Sequence, residues 1–103
     1  MHMDAIEMRL RKIGKKAFVD YLYVELKKNI DVSIEEITHK HIEFGRYKLS
    51  SQQTRLSNAR TIFREGWSEA ALRIIAGSSK VDRNTRKRAM QLLNVGVPYS
   101  EKA

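Results

Sequence analysis

The spacing of the apolar residues is the feature of this chain that most restricts its fold. They recur every three or four residues over most of the sequence, as one face of an α-helix requires, and the alternation of a half-buried strand is missing. The first such stripe runs from about residue 4 to 28, and Gly14 leaves open whether it is one helix or two. The one proline, Pro98, interrupts none of this pattern. The sequence therefore predicts an all-α protein.

Start and stop signals divide the rest of the chain into further helices. Ser33 and Glu36 have the spacing of a capping box, and Gly45 is a stop signal at the end of that segment. A chain of 103 residues is the size of one domain, so we expect residues 1–103 to form a single small bundle of about five helices. The later helices are expected over about 50–65, 69–76 and 83–94.

Charge is divided unevenly along this predicted bundle. Residues 1–45 contain eight Lys or Arg and eight Asp or Glu, whereas residues 46–103 contain twelve against four. The formal charge of +8 therefore arises from the second part. Such segregation is typical of a protein that uses one surface to bind a polyanion. The sequence thus predicts a neutral part, residues 1–45, and a basic part, residues 46–98, that binds duplex DNA.

Within the basic part, a helix, a tight turn containing Gly66 and a short second helix have the outline of a helix-turn-helix. In that motif the second helix enters the major groove of DNA. We expect Ser68 and Arg73 to read bases, and the outward side chains of Ala70 and Ile74 to touch thymine methyl groups. The alternative is a plain α-hairpin in which Gly66 is merely a helix stop.

Polar and basic residues on the outward stripes of the helices around this pair supply the remaining predicted contacts. Arginine, lysine, amide and hydroxyl groups together suit contacts with phosphates and base edges. Asn84 is expected to read bases and the others to hold phosphates, with an ordinary solvated basic face as the alternative. The predicted residues are Arg60, Arg64, Lys80, Arg83, Asn84, Arg86 and Lys87.

The stretch after the short helix, residues 77–98, resembles part of a known DNA-binding family. It reads Gly77-Ser78-x-Lys80-Val81-x-x-x-Thr85-Arg86-x-Arg88, followed by Gly96 and Pro98. This pattern is similar to the loop and third helix of the lac-repressor-type headpiece, whose characteristic first helix has no counterpart in this chain. The resemblance implies that Ser78, Ser79 and Lys80 lie near the phosphate backbone and that Val81 packs inside.

Several other functions are disfavoured by the residue types present. The chain has no cysteine, and His39 and His41 fall on different faces of their helix, so neither a disulfide nor a metal site is expected. No serine stands in a G-x-S-x-G context and no glycine-rich loop could cradle a phosphate. We therefore expect no enzyme activity, no cofactor, no membrane span and a cytoplasmic location.

The neutral part carries an apolar arc that is wide for one small bundle. Met8, Phe18, Val19 and Leu22 add to the core stripe of the first helix. An apolar surface of that width is usually covered by another protein surface, so the sequence predicts a homodimer through this helix.

Taken together, these patterns predict a small transcriptional regulator that reads duplex DNA. Two alternatives share the charge argument. One is an adaptor or inhibitor that docks on an acidic protein surface. The other is an RNA-binding protein, which is disfavoured because the basic part holds few aromatic residues on which bases could stack.

Overall fold

The structure, a computed structural model, describes residues 2–95 and the side chains of residues 3–94. These residues form an all-α bundle without strands, as the sequence predicts. A 3-10 turn, Phe44–Arg46, separates the third helix from the fourth. Within residues 2–95 the helices are α1, His2–Ile13; α2, made of Lys15–Ala17, the π-helical turn Phe18–Leu22 and Tyr23–Lys28; α3, Ile34–Lys40; α4, Leu49–Arg64; α5, Ser68–Ala76; and α6, Arg83–Val95.

Gly14 divides the first apolar segment into two helices, which is why the described chain has six helices and not about five. Its φ of 87° lies in the left-handed region, where a side chain would be strained. The guanidinium of Arg55 also comes within 2.9 Å of the place where a Cβ would stand. From there Arg55 donates a hydrogen bond to the carbonyl of Ile13, the last residue of α1. Gly14 is therefore required both by the turn and by the approach of Arg55.

The π-helical turn of α2 explains how the wide apolar arc of this helix is covered. A π turn contains one residue more than an α turn, so it shifts the faces of the helix. Phe18, Val19 and Leu22 are consequently all buried within one chain. Of the four apolar residues that suggested a homodimer, Met8 alone stays exposed, at 51%. Three of the four residues that suggested the dimer are thus covered within one chain, and the homodimer itself stays a prediction.

The start of α3 confirms the predicted capping box. The hydroxyl of Ser33 accepts a hydrogen bond from the backbone N–H of Glu36 at 3.1 Å, and Oε1 of Glu36 accepts one from the N–H of Ser33 at 3.4 Å. The helix ends at Lys40, five residues before the expected stop at Gly45. Phe44 reaches the core from the 3-10 turn instead.

The position of α6 matters most for function. α1 packs along α4, and α5 contacts α1, α4 and, most extensively, α6. α6 also touches the π-helical turn of α2, so it lies at the outside of the bundle, with α5 and α2 behind it. Within residues 2–95, no helix combines the length and apolar character needed to cross a membrane.

Candidate nucleic-acid interface

α6 presents a polar face on which no acidic residue lies. Thr85 and Ala89 are buried and fix the inward side of the helix, with Leu92 and Leu93 partly buried beside them. The opposite side is open to solvent, as the helical spacing indicates. Its exposed polar residues are Arg83, Asn84, Lys87, Arg88, Gln91 and Asn94.

Asp82 fixes the first turn of this helix. Its Oδ1 accepts a hydrogen bond from the backbone N–H of Thr85 at 2.7 Å, and this backbone hydrogen bond lowers the pKa of Asp82. A carboxylate at this position satisfies a free helical N–H and complements the helix dipole. This cap therefore fixes the backbone from which the side chains of Arg83 and Asn84 extend.

The loop between α5 and α6 is held by Arg86, which was predicted to bind phosphate. Nη1 of Arg86 donates to the carbonyls of Ser78 and Val81, at 3.3 and 3.0 Å. The hydroxyl of Ser78 accepts a hydrogen bond from the backbone N–H of Lys80. Arg86 and Ser78 thus shape the loop, whereas the side chains of Ser79 and Lys80 are exposed.

One residue of this loop, Val81, was predicted to pack inside. Val81 is half-buried and packs against the core, at the position where the resemblance implies an inward residue. Gly96 and Pro98 lie outside the described residues.

A cleft of about 360 Å³ lies between α6 and α2. Asn84, Lys87, Arg88 and Gln91 line its α6 side, and Lys16 and Asp20 line the other. Nζ of Lys16 lies 2.6 Å from Oδ2 of Asp20, and this hydrogen bond raises the pKa of the Lys16 ammonium. Nε of Arg88 lies 3.9 Å from Oδ1 of the same carboxylate.

An open groove of about 1350 Å³ lies next to this cleft, between α1 and the loop after α5. Four of the predicted contacts line it: Arg73, Ser78, Ser79 and Lys80. Arg11 and Lys15 line the same groove from the α1 side, although Lys15 is paired with Glu7 at 3.7 Å. Lys15 lines this groove and Lys16, the next residue, lines the cleft, so consecutive residues at the junction of α1 and α2 contribute to both depressions.

The contribution of this junction was not predicted from the sequence. The predicted cations all lie in the basic part, residues 46–98, and residues 1–45 are neutral on average. The signal was nevertheless present, because Arg11, Lys12, Lys15 and Lys16 fall within six residues that include no acid. We define the basic ridge as the following eight side chains, taken from the junction, the loop before α6 and the outer face of α6: Arg11, Lys16, Lys80, Arg83, Asn84, Lys87, Arg88 and Gln91.

α5 lacks the outward face expected of a reading helix. Ala70 and Ile74 are half-buried and pack against the core, so the prediction that they point outward is wrong. The exposed side chains of the helix are those of Glu69 and Arg73, each 66% exposed and 3.5 Å apart as an ion pair. Neither residue is a fully exposed methyl reader, although Ile74 also lines the open groove beside Arg73.

Arg60 is engaged elsewhere in the bundle. Its Nε donates to the carbonyl of Ile30 and its Nη2 to the carbonyl of Val32, both at 2.8 Å. These bonds tie the loop before α3 to the C-terminal part of α4. Arg60 was predicted to hold a phosphate, but its guanidinium serves the fold and lies off the basic ridge.

Arg64 and Ser68 lie apart from the other predicted contacts. They line a cleft of about 460 Å³ together with residues of α2, among them Tyr23 and Lys27. Arg64 is exposed, whereas Ser68 is half-buried at the start of α5. The structure therefore brings Lys80, Arg83, Asn84 and Lys87 onto the ridge but leaves this pair on another surface.

The histidines follow the expectation from helical spacing. His41 is partly buried, and its Nε2 lies 3.0 Å from Oε2 of Glu25. Burial raises the pKa of the Glu25 carboxyl, but hydrogen bonds from His41 and Lys40 outweigh it, so the pKa is lowered overall. Within the described residues, no group of three His, Cys, Asp or Glu side chains could hold a metal ion.

Comparisons with protein families, curated proteins and solved structures found no match for this chain. Inference of function therefore depends on the geometry of the described residues.

Proposed function

We propose that this protein binds duplex DNA through the basic ridge and acts as a small transcriptional regulator. The observation that carries the proposal is the outer face of α6, where cations and amides alternate without an acid. Phosphates are held by Lys and Arg, whereas amides and guanidinium groups also recognise base edges. A face that contains both kinds of group suits binding that is strong and selective for sequence.

The dimensions of α6 suit the major groove, which is about 12 Å wide and admits one α-helix. Asn84, Arg88 and Gln91 recur along the outer face over seven residues, which is about 10.5 Å of helix, or about three base-pair steps. Asn and Gln pair with adenine, and Arg pairs with guanine. We assign base reading to these three residues.

This assignment moves the reading role from α5 to α6. α5 packs extensively against α6 and exposes little besides an ion pair, so it supports the reading helix from behind. The helix-turn-helix that we expected over α4 and α5 is therefore replaced, in this proposal, by α5 and α6 with their six-residue connection.

Phosphate binding is assigned to the ridge cations that form no ion pair with another described residue. Arg11, Lys80, Arg83 and Lys87 meet this condition. If each neutralises one phosphate, the logarithm of the affinity should fall against the logarithm of the salt concentration with a slope near −3.6.

Fluorescence anisotropy with a duplex of random sequence, over a series of salt concentrations, tests this function. We expect the R83A/K87A double variant to make the slope shallower, from about −3.6 to about −1.8. The matched control is R46A/K48A, which removes two exposed cations beside α3 and should leave the slope unchanged. A flat salt response of the unchanged protein, or equal losses in both double variants, would reject the proposal.

Two further arms separate DNA reading from its alternatives. Selection from a random duplex library should yield a preferred sequence that binds more tightly than the pool. Tighter binding to single-stranded RNA of equal length would favour an RNA-binding protein instead. Weak binding to every duplex, without preference, would favour a protein partner with an acidic surface.

A further inference from the structure

One acidic side chain lines the cleft that the basic ridge borders, and a second, Asp82, acts electrostatically on Lys16 from the start of α6. Among the described residues that line the cleft between α2 and α6, Asp20 is the one acid, and it faces Lys16, Lys87 and Arg88. Its side chain is 21% exposed, so it is confined without being sealed from solvent. A carboxylate at this place would repel the phosphates that the surrounding surface is proposed to bind.

The π-helical turn of α2 holds Asp20 in the cleft. Val19, directly before it, is buried, and so are Phe18 and Leu22 at the two ends of the turn. α6 packs against the same turn. Because these anchors fix the backbone on both sides, Asp20 has little freedom to withdraw when a polyanion approaches.

Asp20 engages two of the ridge cations. It accepts a hydrogen bond from Lys16 at 2.6 Å and lies 3.9 Å from Nε of Arg88. The charges of these cations are therefore partly neutralised before DNA arrives. A phosphate entering the cleft would also meet the negative charge of the carboxylate, whereas an uncharged base edge would not.

The contact to Arg88 also has a direction. The contact with Asp20 is made through Nε at 3.9 Å, which is an ion-pair distance and not a hydrogen bond. A guanidinium that offers two parallel donors matches O6 and N7 of guanine. Restraint through Nε would reduce the rotamer freedom that Arg88 loses when it binds a base.

We infer that Asp20 is a specificity-determining residue of the proposed DNA site, which withholds Lys16 and Arg88 from phosphates and presents Arg88 to a base edge. This inference rests on the proposed function. It predicts that the carboxylate weakens binding to random DNA and increases the preference for the selected sequence.

The test compares D20N with D31N, using a random duplex and the selected duplex as probes. Both substitutions remove one negative charge, but Asp31 lies in the loop before α3 and lines a different cleft. For D20N we expect about tenfold tighter binding of the random duplex near 0.1 M salt. Release of two cations should also change the slope from about −3.6 to about −5.4. D31N should match the unchanged protein within about twofold, since its charge lies away from the ridge.

A third variant tests whether Asp20 acts through Arg88. In an R88A background one of the two released cations is missing, so D20N should change the slope by about 0.9 and not by about 1.8. The ratio of affinities for selected and random duplexes should fall about tenfold in D20N, since each lost base contact costs about that much. Far-UV circular dichroism of each variant checks that the helices are intact.

The outcomes separate this inference from the proposed function. If D20N and D31N behave alike while R83A/K87A still lowers the slope, DNA binding stands and the role of Asp20 is overturned. If D20N lowers the affinity for both duplexes equally, the carboxylate is structural and the inference is also overturned. If the unchanged protein binds no duplex, both proposals fail together.

Discussion

α4 and α6 contain three arginines each and divide them differently: two of the three in α4 donate to backbone carbonyls, whereas in α6 Arg86 alone does so. In α4, Arg55 and Arg60 turn back into the protein and donate to backbone carbonyls. In α6, Arg83 and Arg88 remain exposed on the outer face. A count of cations along a helix therefore does not locate an interface, because some of those cations form hydrogen bonds within the protein.

The neighbours of each helix explain the difference. α4 passes two places where backbone carbonyls lack helical partners, namely the end of α1 at Ile13 and the loop that contains Ile30 and Val32. Buried or half-buried carbonyls require donors, and an arginine has several. α6 rests on α5 and on the π turn of α2 through its apolar side, so its outer arginines meet no such carbonyls.

The largest effect is expected from Arg60→Ala. Two hydrogen bonds from a charged donor are lost and two carbonyls are left without that donor, so the free energy of unfolding should fall by about 2–4 kcal/mol. Urea denaturation followed by circular dichroism measures this change. The salt slope of DNA binding should stay near −3.6 under conditions where the variant is folded. A variant that keeps its stability but shows a shallower salt slope would indicate instead that Arg60 contacts DNA.

The second prediction compares α6 with α5. Asn84→Ala should reduce the discrimination between the selected and the random duplex by about 1–3 kcal/mol, because one base contact is lost. Arg73→Ala is the matched variant on α5, where the side chain is exposed and paired with Glu69. We expect anisotropy titrations to show unchanged discrimination for Arg73→Ala. The reverse pattern would restore α5 as the reading helix.

The third prediction extends the comparison to an acid that the fold uses internally. Hydrogen bonds from His41 and Lys40 overcome the effect of burial and lower the pKa of Glu25 below its ordinary value of 4.5. A lowered pKa means that the charged carboxylate stabilises the folded state above the unfolded pKa, and that this contribution is lost as the pH falls through the folded pKa. Glu25→Gln should therefore cost about 1–2 kcal/mol at pH 7.

Urea denaturation at several pH values checks the sign of this effect. The difference in unfolding free energy between the unchanged protein and Glu25→Gln should shrink as the pH falls from about 4.5 through the pKa of Glu25 in the folded protein. A difference that stays constant or grows over that acidic range would contradict the assigned pairing.

The smallest effect is expected from Arg64→Ala. Arg64 is exposed on a cleft away from the ridge, so its removal should change the unfolding free energy by less than about 0.5 kcal/mol. The salt slope should also stay the same. A slope that becomes shallower by about 0.9 would instead extend the DNA footprint onto that cleft.

The parts of this fold that could be predicted from sequence depend on neighbours along the chain. The capping box at Ser33, the start of α6 at Asp82 and the two faces of α6 follow from signals within a few residues of one another. The basic cluster around Gly14 could have been found in the same way, from its run of lysines and arginines.

The parts that could not be predicted depend on neighbours distant in sequence. The carbonyls that engage Arg60 are 28 and 30 residues away, so no residue near Arg60 in the sequence indicates this contact. Ala70 and Ile74 are covered by tertiary packing, not by their own helix. The π turn likewise arises where α2 packs several adjacent apolar residues into the same core.

The central claim is that the outer face of α6, together with the α1–α2 junction, contacts DNA. Titration of the isotopically labelled protein with the selected duplex, followed by amide chemical-shift changes in two-dimensional NMR spectra, tests it most directly. We expect the largest changes within residues 11–16 and 80–91, with little change at Arg64 and Ser68. Changes centred on residues 64–73, or spread evenly over the bundle, would contradict the claim.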